Sequence, residues 1–215
     1  MIITDTSTFV TALECYTIFM KPDIHRLIEL QQLFLVFTQI ERGVHRKQND
    51  VFIPENDSEH SYTLAMTAWY LSKWFPELNQ SKLIRFALAH DLVEIHAGDT
   101  FFYGTPEELG SKQEREAIAY KQLENDWSDF DDMLSSIKSY ETRDSNEARF
   151  VYALDKVLPI IQVFINEGYS WKKHKITMDV LHEYKVDKIS LSPEVKEYFD
   201  QLIVVLQKHP EIISR

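Results

Sequence analysis

The residues best suited to chemistry lie in one apolar stretch, residues 85–100. His90, Asp91 and Glu94 are ionisable, and Glu94 follows His90 by four positions, which places both on one face of a helix. Asp91 lies about 100° around the helix from His90, so both heads could reach one point. Imidazole nitrogens and carboxylate oxygens suit Mn, Fe, Co, Ni or Zn, and a cation offsets the cost of burying acids. The stretch therefore predicts a divalent cation site.

One long helix is expected to carry these groups. Ser81 is its expected N-cap, and Gly98 its end, since glycine readily adopts the left-handed conformation that follows a helix. Asp99 then adds another carboxylate. A preceding helix, which begins near Asp57 or Ser58, directs a second histidine inward, because His60 shares a helical face with a run of apolar residues.

Asp155 is a further candidate, on a helix that a capping box at residues 144–147 begins. Residues 150–165 are apolar nearly all round, and Pro159 should kink the helix near Asp155. Asp155 could instead lie on a solvent-facing stripe beside Lys156. The apolar surroundings favour a buried carboxylate, which needs a partner.

The rest of the chain predicts an all-α, single-domain helical bundle. The 215 residues include five glycines, and helical periodicity is far commoner than strand-like alternation. We expect a lead-in over residues 1–22, either a short helix or a loosely packed segment, and a domain over residues 23–215. A first helix should run from Asp23 to Gly43, followed by a loop over residues 47–57. Further helices should begin at four capping residues: Thr105, Ser128, Thr177 and Ser192.

Composition narrows the functional classes. A formal net charge of −11 disfavours sequence-independent binding of nucleic acid, which works through basic surfaces. Cys15 is the single cysteine, which excludes an intrachain disulfide and a cysteine-based zinc site. The N-terminus has no basic region before its apolar residues, so we expect neither a signal peptide nor a membrane span, and a cytoplasmic location.

Three segments resemble the HD superfamily of metal-dependent phosphohydrolases, and among its members the 5′-deoxynucleotidase-like branch. They present the ligand types in the order His, His-Asp, Asp, and the similarity runs from about residue 25 to 200. The segments read Glu55-Asn56-Asp57-Ser58-Glu59-His60-Ser61, His90-Asp91-Leu92-Val93-Glu94-Ile95 with Ala97-Gly98-Asp99-Thr100-Phe101, and Arg149-Phe150-Val151-Tyr152-Ala153-Leu154-Asp155-Lys156.

The resemblance implies a role for each matching residue. It implies that four residues bind one divalent metal ion: His60, His90, Asp91 and Asp155. Mg joins Mn, Fe, Co, Ni and Zn among the candidate ions. Glu94 would orient or deprotonate the attacking water, and Asp99 would face the leaving nucleoside. Arg42 and Arg46 would neutralise the phosphate, although both could equally be solvated charges at a helix end.

The implied activity is removal of phosphate from (deoxy)nucleoside 5′-monophosphates or a similar small phosphate. The sequence does not decide whether the protein forms a homodimer. Gly43-Val44 stands where this family often has an aromatic residue, and His96 stands where an acid is common and is not expected to be a ligand. The alternatives are another phosphohydrolase activity, on a diester or a nucleotide pyrophosphate, and a helical binding module that keeps the metal without turnover. Glu94 and Asp99 speak against the binding module, because a structural metal needs neither.

Overall fold

The computed structural model describes residues 21–101 and 103–213. It is mainly helical and confirms the predicted fold class. The elements in chain order are α1 Ile24–Phe37, β1 Glu41–Gln48, β2 Val51–Asn56, α2 Asp57–Leu71, α3 Gln80–Ala89, α4 Glu94–Ala97, α5 Pro106–Asp126, α6 Asp131–Thr142, α7 Asn146–Ile165, α8 Tyr169–His174, α9 Met178–Ile189, α10 Pro193–Gln207 and a 3₁₀ turn at Pro210–Ile212.

Helix α7 lies at the centre of the main core. It is apolar on most of its circumference, as its sequence predicts, and packs against α2, α3, α6, α9 and α10. A second cluster joins α1, α5 and α6 to the segment that follows α3, through Phe37, Leu92, Leu123 and Ile137. Burying both clusters supplies the hydrophobic free energy that holds α2, the end of α3 and α7 together.

Capping residues set most of the helix starts. Thr105, Thr177 and Ser192 accept hydrogen bonds from the first turns of α5, α9 and α10, which confirms the predicted starts. Three starts were predicted wrongly. Asn56 caps α2 in place of Asp57 or Ser58, Asn79 caps α3 in place of Ser81, and α6 begins at Asp131 without the expected cap from Ser128.

A β-hairpin replaces the end of the first predicted helix and the loop over residues 47–57. Helix α1 ends at Phe37 rather than Gly43, and β1 then pairs with β2 in an antiparallel two-stranded sheet. The turn consists of Asn49 and Asp50, whose φ angles are 48° and 62°. Two consecutive left-handed residues match the twist of a hairpin, and Asn and Asp tolerate that conformation better than most side chains.

The hairpin carries a bulge at the end nearest the helices. Glu41 pairs with Asn56 and His45 pairs with Pro54, so three residues of β1 lie opposite Glu55 alone. Such bulges bend a strand and redirect its side chains. The bulged residues include Arg42, which is therefore a strand residue and not the helix-end charge that the sequence suggested.

The predicted central helix is interrupted within its reactive stretch. Helix α3 ends at Ala89, and the short α4 begins at Glu94. Between them, the backbone N–H groups of Leu92 and Glu94 donate to the carbonyls three residues earlier, at 3.1 and 2.8 Å. This is the tighter 3₁₀ pattern, which often marks a functional segment within a helix.

Smaller differences concern the ends of the chain and two short segments. Residues 169–174, where no helix is predicted, form α8, and Glu141 lies on the exposed side of α6. Residues 1–20 of the predicted lead-in lie outside the described residues, so the boundary near residue 22 stays a prediction. Among the described residues, no helix is both long and apolar enough to cross a bilayer.

Candidate metal centre

His60 is positioned by the start of α2. Asn56 accepts a hydrogen bond from the Glu59 backbone, and Glu59 reaches back to the Asn56 backbone, a capping box that fixes the first turn. His60 follows at once and is 2% exposed. Burial, followed by the charge of Arg42, lowers the pKa of His60 to about 4. Its imidazole is therefore neutral at neutral pH, as a metal ligand must be.

His90 terminates α3 with a defined ring orientation. Its Nδ1 lies 2.9 Å from the Ala87 carbonyl oxygen and donates a proton to it, since a carbonyl can only accept. Nε2 then carries the lone pair, and it is buried without a hydrogen-bond partner among the described residues. Backbone hydrogen bonds of this kind fix metal-binding histidines.

Asp91 and Asp155 face that lone pair. His90 Nε2 lies 3.0 Å from Asp91 Oδ2 and 3.8 Å from Asp155 Oδ1, and His60 Nε2 lies 3.0 Å from the same Asp155 oxygen. Asp155 is 3% exposed, which supports the buried interpretation of its sequence position. Its other oxygen accepts hydrogen bonds from the Tyr140 hydroxyl at 2.8 Å and the Lys156 ammonium at 2.5 Å.

The four groups fit a divalent cation. One ligand atom from each of His60, His90 and Asp91 lies within 4.8 Å of the others, and Asp155 adds an oxygen to the same cluster. Atoms that share a metal at about 2.1 Å lie roughly 3 to 4.2 Å apart, which brackets the separations above. The mixed nitrogen and oxygen set suits Mn, Fe, Co, Ni or Zn, and does not select among them.

The electrostatics of the cluster also favour a cation. Burial opposes ionisation of Asp91 and Asp155. His90 and Arg42 nevertheless lower the pKa of Asp91. Lys156 and His60 likewise lower the pKa of Asp155. Burial also opposes protonation of His90, but Asp91 and Asp155 raise its pKa. Two ionised carboxylates thus attract positive charge to the point that Nε2 of His90 faces, where a proton and a metal ion would compete.

Three more carboxylates surround this cluster. Glu94 is 3% exposed, and burial together with Asp91 and Asp99 raises its pKa well above the usual value. Burial and Asp91 raise the pKa of Asp57 to about 6, and burial also raises that of Asp99. Asp57, Asp91 and Glu94 offer oxygens within 4.8 Å of one another. The sequence predicts Asp57 only as a helix cap, although it lies within the same sequence segment as His60.

The two arginines occupy different surroundings. Arg42 Nη1 donates to Asp57 at 2.8 Å and to Asp91 at 2.7 Å, so its guanidinium lies beside the cluster. Arg46 forms a bidentate pair with Glu59, at 3.0 and 2.5 Å, and is about one-third exposed. The structure therefore brings Arg42 to the site but places Arg46 at the start of α2. His96 is exposed, as expected of a residue that is not a ligand.

A cavity of about 170 Å³ opens beside the cluster. Its acidic wall consists of Asp91, Glu94, Asp99 and Asp155, with Arg42 beside them. A wider cavity of about 460 Å³ shares part of this lining, including Arg42, Asp99 and Phe101. Phe101 lies against Gly43, where an added Cβ would come within 2.3 Å of the ring, so only glycine fits beneath it. The two cavities therefore adjoin one another at Arg42, Asp99 and Phe101.

Comparison with known proteins gives consistent matches. An HD domain family model matches residues 39–196. The human protein named 5′-deoxynucleotidase HDDC2 is 33% identical over 134 residues, which cover 57% of this chain and 60% of that protein. The Saccharomyces cerevisiae protein named 5′-deoxynucleotidase YGK1 is 25% identical over 174 residues, which cover 69% of this chain and 74% of that protein. The chain thus spans about 60% of the human relative's length.

A solved structure shares the fold at greater coverage. The crystal structure of a predicted metal-dependent phosphohydrolase from Magnetospirillum magnetotacticum MS-1 superimposes with a TM-score of 0.72 and 27% identity, over 88% of this chain and 96% of that one. A structure of YGK1 superimposes with a TM-score of 0.57 at 19% identity, which supports the fold alone.

Proposed function

The chain belongs to the HD domain family, and from this premise we propose that it is a metal-dependent phosphohydrolase that removes the phosphate from (deoxy)nucleoside 5′-monophosphates. The observation that carries the proposal is the convergence of His60, His90, Asp91 and Asp155 on one point at the edge of a cavity that also holds Glu94. The names of the human and yeast relatives support the substrate class.

Four residues would hold the metal in this proposal: His60, His90, Asp91 and Asp155. When bound, the ion would supply positive charge to the phosphoryl oxygens and acidify a water molecule. Glu94 would accept the proton of that water, because it is the buried carboxylate next to Asp91 on the cavity wall. Burial and the neighbouring carboxylates raise its pKa above the usual value of a glutamate, which makes its carboxylate a stronger base toward that water.

Asp99 and Arg42 would act on the other side of the phosphoryl group. Burial raises the pKa of Asp99, which is the direction that suits a carboxyl group that would donate a proton to the leaving nucleoside oxygen. Arg42 would contact the phosphate oxygens through its guanidinium, whose charge is permanent and whose donors match a phosphate. Arg46 would only hold the start of α2 through Glu59.

A phosphate-release screen tests this function. The purified protein would be stripped of metal, reloaded with each of Mn, Co, Ni, Zn, Mg and Fe(II), and assayed on nucleoside and deoxynucleoside 5′-monophosphates. We expect metal-dependent release from 5′-monophosphates and little from a simple diester. Release from the diester alone, or no release with any metal, would contradict the proposal.

A further inference from the structure

Glu55 lies beside two residues that the proposed function uses for different tasks. It belongs to β2, directly before the Asn56 that caps α2, and it is 5% exposed. Its Oε2 lies 3.8 Å from His60 Nδ1 and 3.8 Å from Arg42 Nε. One buried carboxylate oxygen therefore faces both a proposed metal ligand and the proposed phosphate-binding arginine.

The chemistry of His60 makes its Nδ1 a donor toward Glu55. Nε2 of His60 lies 3.0 Å from Asp155 Oδ1, so Nε2 is the nitrogen that belongs to the proposed metal cluster. A metal ion takes a lone pair from an unprotonated nitrogen, so the single proton of the neutral imidazole would lie on Nδ1. Histidines that bind metals commonly donate this second N–H to a carboxylate or a carbonyl. Glu55 offers such a carboxylate.

Unsatisfied atoms indicate that these contacts are almost formed. Glu55 Oε2 and Arg42 Nε are both buried, and neither has a hydrogen-bond partner within residues 21–101 and 103–213. A buried donor or acceptor without a partner costs about 1–3 kcal/mol. The two separations of 3.8 Å exceed an ordinary N–H···O distance of about 2.9 Å by roughly 0.9 Å. Side-chain shifts of this size would satisfy both atoms.

Arg42 has a second reason to contact Glu55. Its Nη1 donates to Asp91 Oδ2, which is the same oxygen that lies 3.0 Å from His90 Nε2. A metal ion at that oxygen would compete with the arginine for it. Burial raises the pKa of Glu55 to about 7, and Arg42 acts in the opposite direction, because a nearby cation stabilises the ionised carboxylate. Each group of this pair therefore favours the charged form of the other.

We propose that Glu55 is a positioning residue that orients His60 through Nδ1 and Arg42 through Nε, and so links metal binding to phosphate binding. The proposal rests on the proposed function and adds a residue to its site. Glu55 is not among the described residues that line either cavity, so it would act through its two neighbours rather than on the substrate.

A metal titration tests the contact with His60. Calorimetry of the metal-free protein with Mn²⁺ would compare the wild type with Glu55→Gln, which keeps the size of the side chain and removes its charge. We expect binding to weaken by about 10-fold, the lower end of the range for residues that orient a metal ligand. Glu59→Gln is the matched control, since Glu59 pairs with Arg46 instead, and should bind Mn²⁺ as the wild type does.

Glu55→Asp separates position from charge. It keeps the carboxylate but shortens its reach by one methylene group, so its oxygen lies farther from both donors. We expect Glu55→Asp to bind Mn²⁺ more weakly than the wild type, although its net charge is unchanged. Wild-type affinity in Glu55→Asp, or in Glu55→Gln, would overturn the proposal.

A double-mutant cycle tests the contact with Arg42. At saturating Mn²⁺, Glu55→Gln should raise KM for a deoxynucleoside 5′-monophosphate by about fivefold, the equivalent of one net hydrogen bond of about 1 kcal/mol, and should change kcat less. In an Arg42→Ala background the same substitution should leave KM nearly unchanged, because no guanidinium remains to be oriented. Equal changes in KM in the two backgrounds would overturn the proposal.

The titration also separates this proposal from the proposed function, because it uses no turnover. His60→Ala should lose Mn²⁺ binding in the same measurement. Unchanged binding in His60→Ala would contradict the proposed metal site and the role of Glu55 with it. Loss of binding in His60→Ala together with wild-type binding in Glu55→Gln would overturn the role of Glu55 alone.

Discussion

The two walls of the cavity are built in different ways. The acidic wall adjoins a cluster in which His60, His90 and Asp155 are all buried and lie within hydrogen-bonding or metal-ligand distances of one another. The part of the lining formed by Lys112, Lys156, Lys185 and Lys188, which we call the lysine wall, is more varied, because Lys185 is buried, Lys112 and Lys156 are partly exposed and Lys188 is exposed. Lysine side chains also have many rotamers and a mobile point charge.

This difference indicates what each wall can recognise. A small cation requires ligands fixed within a few tenths of an ångström, and the cluster fixes them through Ala87, Tyr140 and the Asn56 capping box. A phosphate needs positive charge more than exact position, which flexible ammonium groups provide. Changes to the acidic wall should therefore have large and specific effects, and changes to the lysine wall smaller and graded ones.

The largest effect should come from the residues proposed as metal ligands. Asp155→Ala removes an oxygen that faces both histidines and leaves Lys156 without its partner. We expect loss of bound metal and a fall in activity of more than about 100-fold, the upper range for residues that only orient a ligand. Elemental analysis of purified Asp155→Ala, His90→Ala and Asp91→Ala would check this. Full metal content in Asp155→Ala would remove Asp155 from the ligand set.

Glu94→Gln should separate metal binding from turnover. It keeps the size of the side chain and removes its basicity, so kcat should fall by about 10²- to 10⁴-fold while the metal remains. Steady-state kinetics and elemental analysis on the same preparation would measure both. Turnover near that of the wild type would show that another group deprotonates the attacking water and that Glu94 has only a structural role.

Substitutions of Arg42 test whether the guanidinium beside the acidic wall contacts the phosphate. Arg42→Ala should lower kcat/KM for a 5′-monophosphate by about 10- to 100-fold, the range for charged hydrogen bonds of 1.5–3 kcal/mol, and should change metal content little. Arg42→Lys should recover part of the loss, since an ammonium gives charge without the bidentate geometry. Unchanged kinetics in both variants would limit Arg42 to its ion pairs with Asp57 and Asp91.

Tyr140→Phe should have a milder effect on the same cluster. It removes the hydroxyl that donates to Asp155 Oδ2 and keeps the buried ring. Loss of a residue that orients a ligand typically weakens metal binding by about 10-fold or more. A metal titration followed by calorimetry would measure it. Tyr152→Phe, in the adjacent ring, is the matched control, and equal affinities in the two variants would exclude a positioning role for Tyr140.

The smallest effect concerns stability and pH. The pKa of Lys185 is about 7 in the folded protein against 10.5 ordinarily, so the unfolded chain binds more protons between these values. Stability should therefore rise with pH across this interval, by at most about 1.4 kcal/mol per pH unit from this group. Lys185→Met should be more stable than the wild type at pH 7, and its advantage should shrink by pH 9. Urea unfolding at both pH values measures the difference, and a constant advantage would contradict the prediction.

The helical part of the site could be predicted because helical periodicity repeats many times along each segment. His60, His90 and Asp155 each interrupt an apolar helical pattern, and such an interruption by itself indicates a buried polar group. The hairpin gave no comparable signal. Its strands are short and polar, and Asn49-Asp50 is a weaker turn signature than a pair that contains glycine.

Partnerships between distant segments were harder to predict. Tyr140 and Asp155 lie fifteen positions apart on different helices, and the lysine wall unites α5, α7 and α9. Helical spacing assigns a residue to a face of its own helix and does not show which other helix it meets. The break after Ala89 was also hidden, because residues 90–93 keep a helical pattern of side chains while their hydrogen bonds tighten.

Asp155 and Lys156 are consecutive residues of α7, one in the acidic wall and the other in the lysine wall, and their side chains form an ion pair at 2.5 Å. A cation bound to Asp155 weakens the ion pair between Asp155 and Lys156. The Lys156 ammonium group is then more available to an anion. An anion that engages Lys156 leaves Asp155 more available to the cation in return. Reciprocity of this kind is required by thermodynamic linkage, so this ion pair would make the two proposed binding events cooperative and would favour the loading of metal and substrate together.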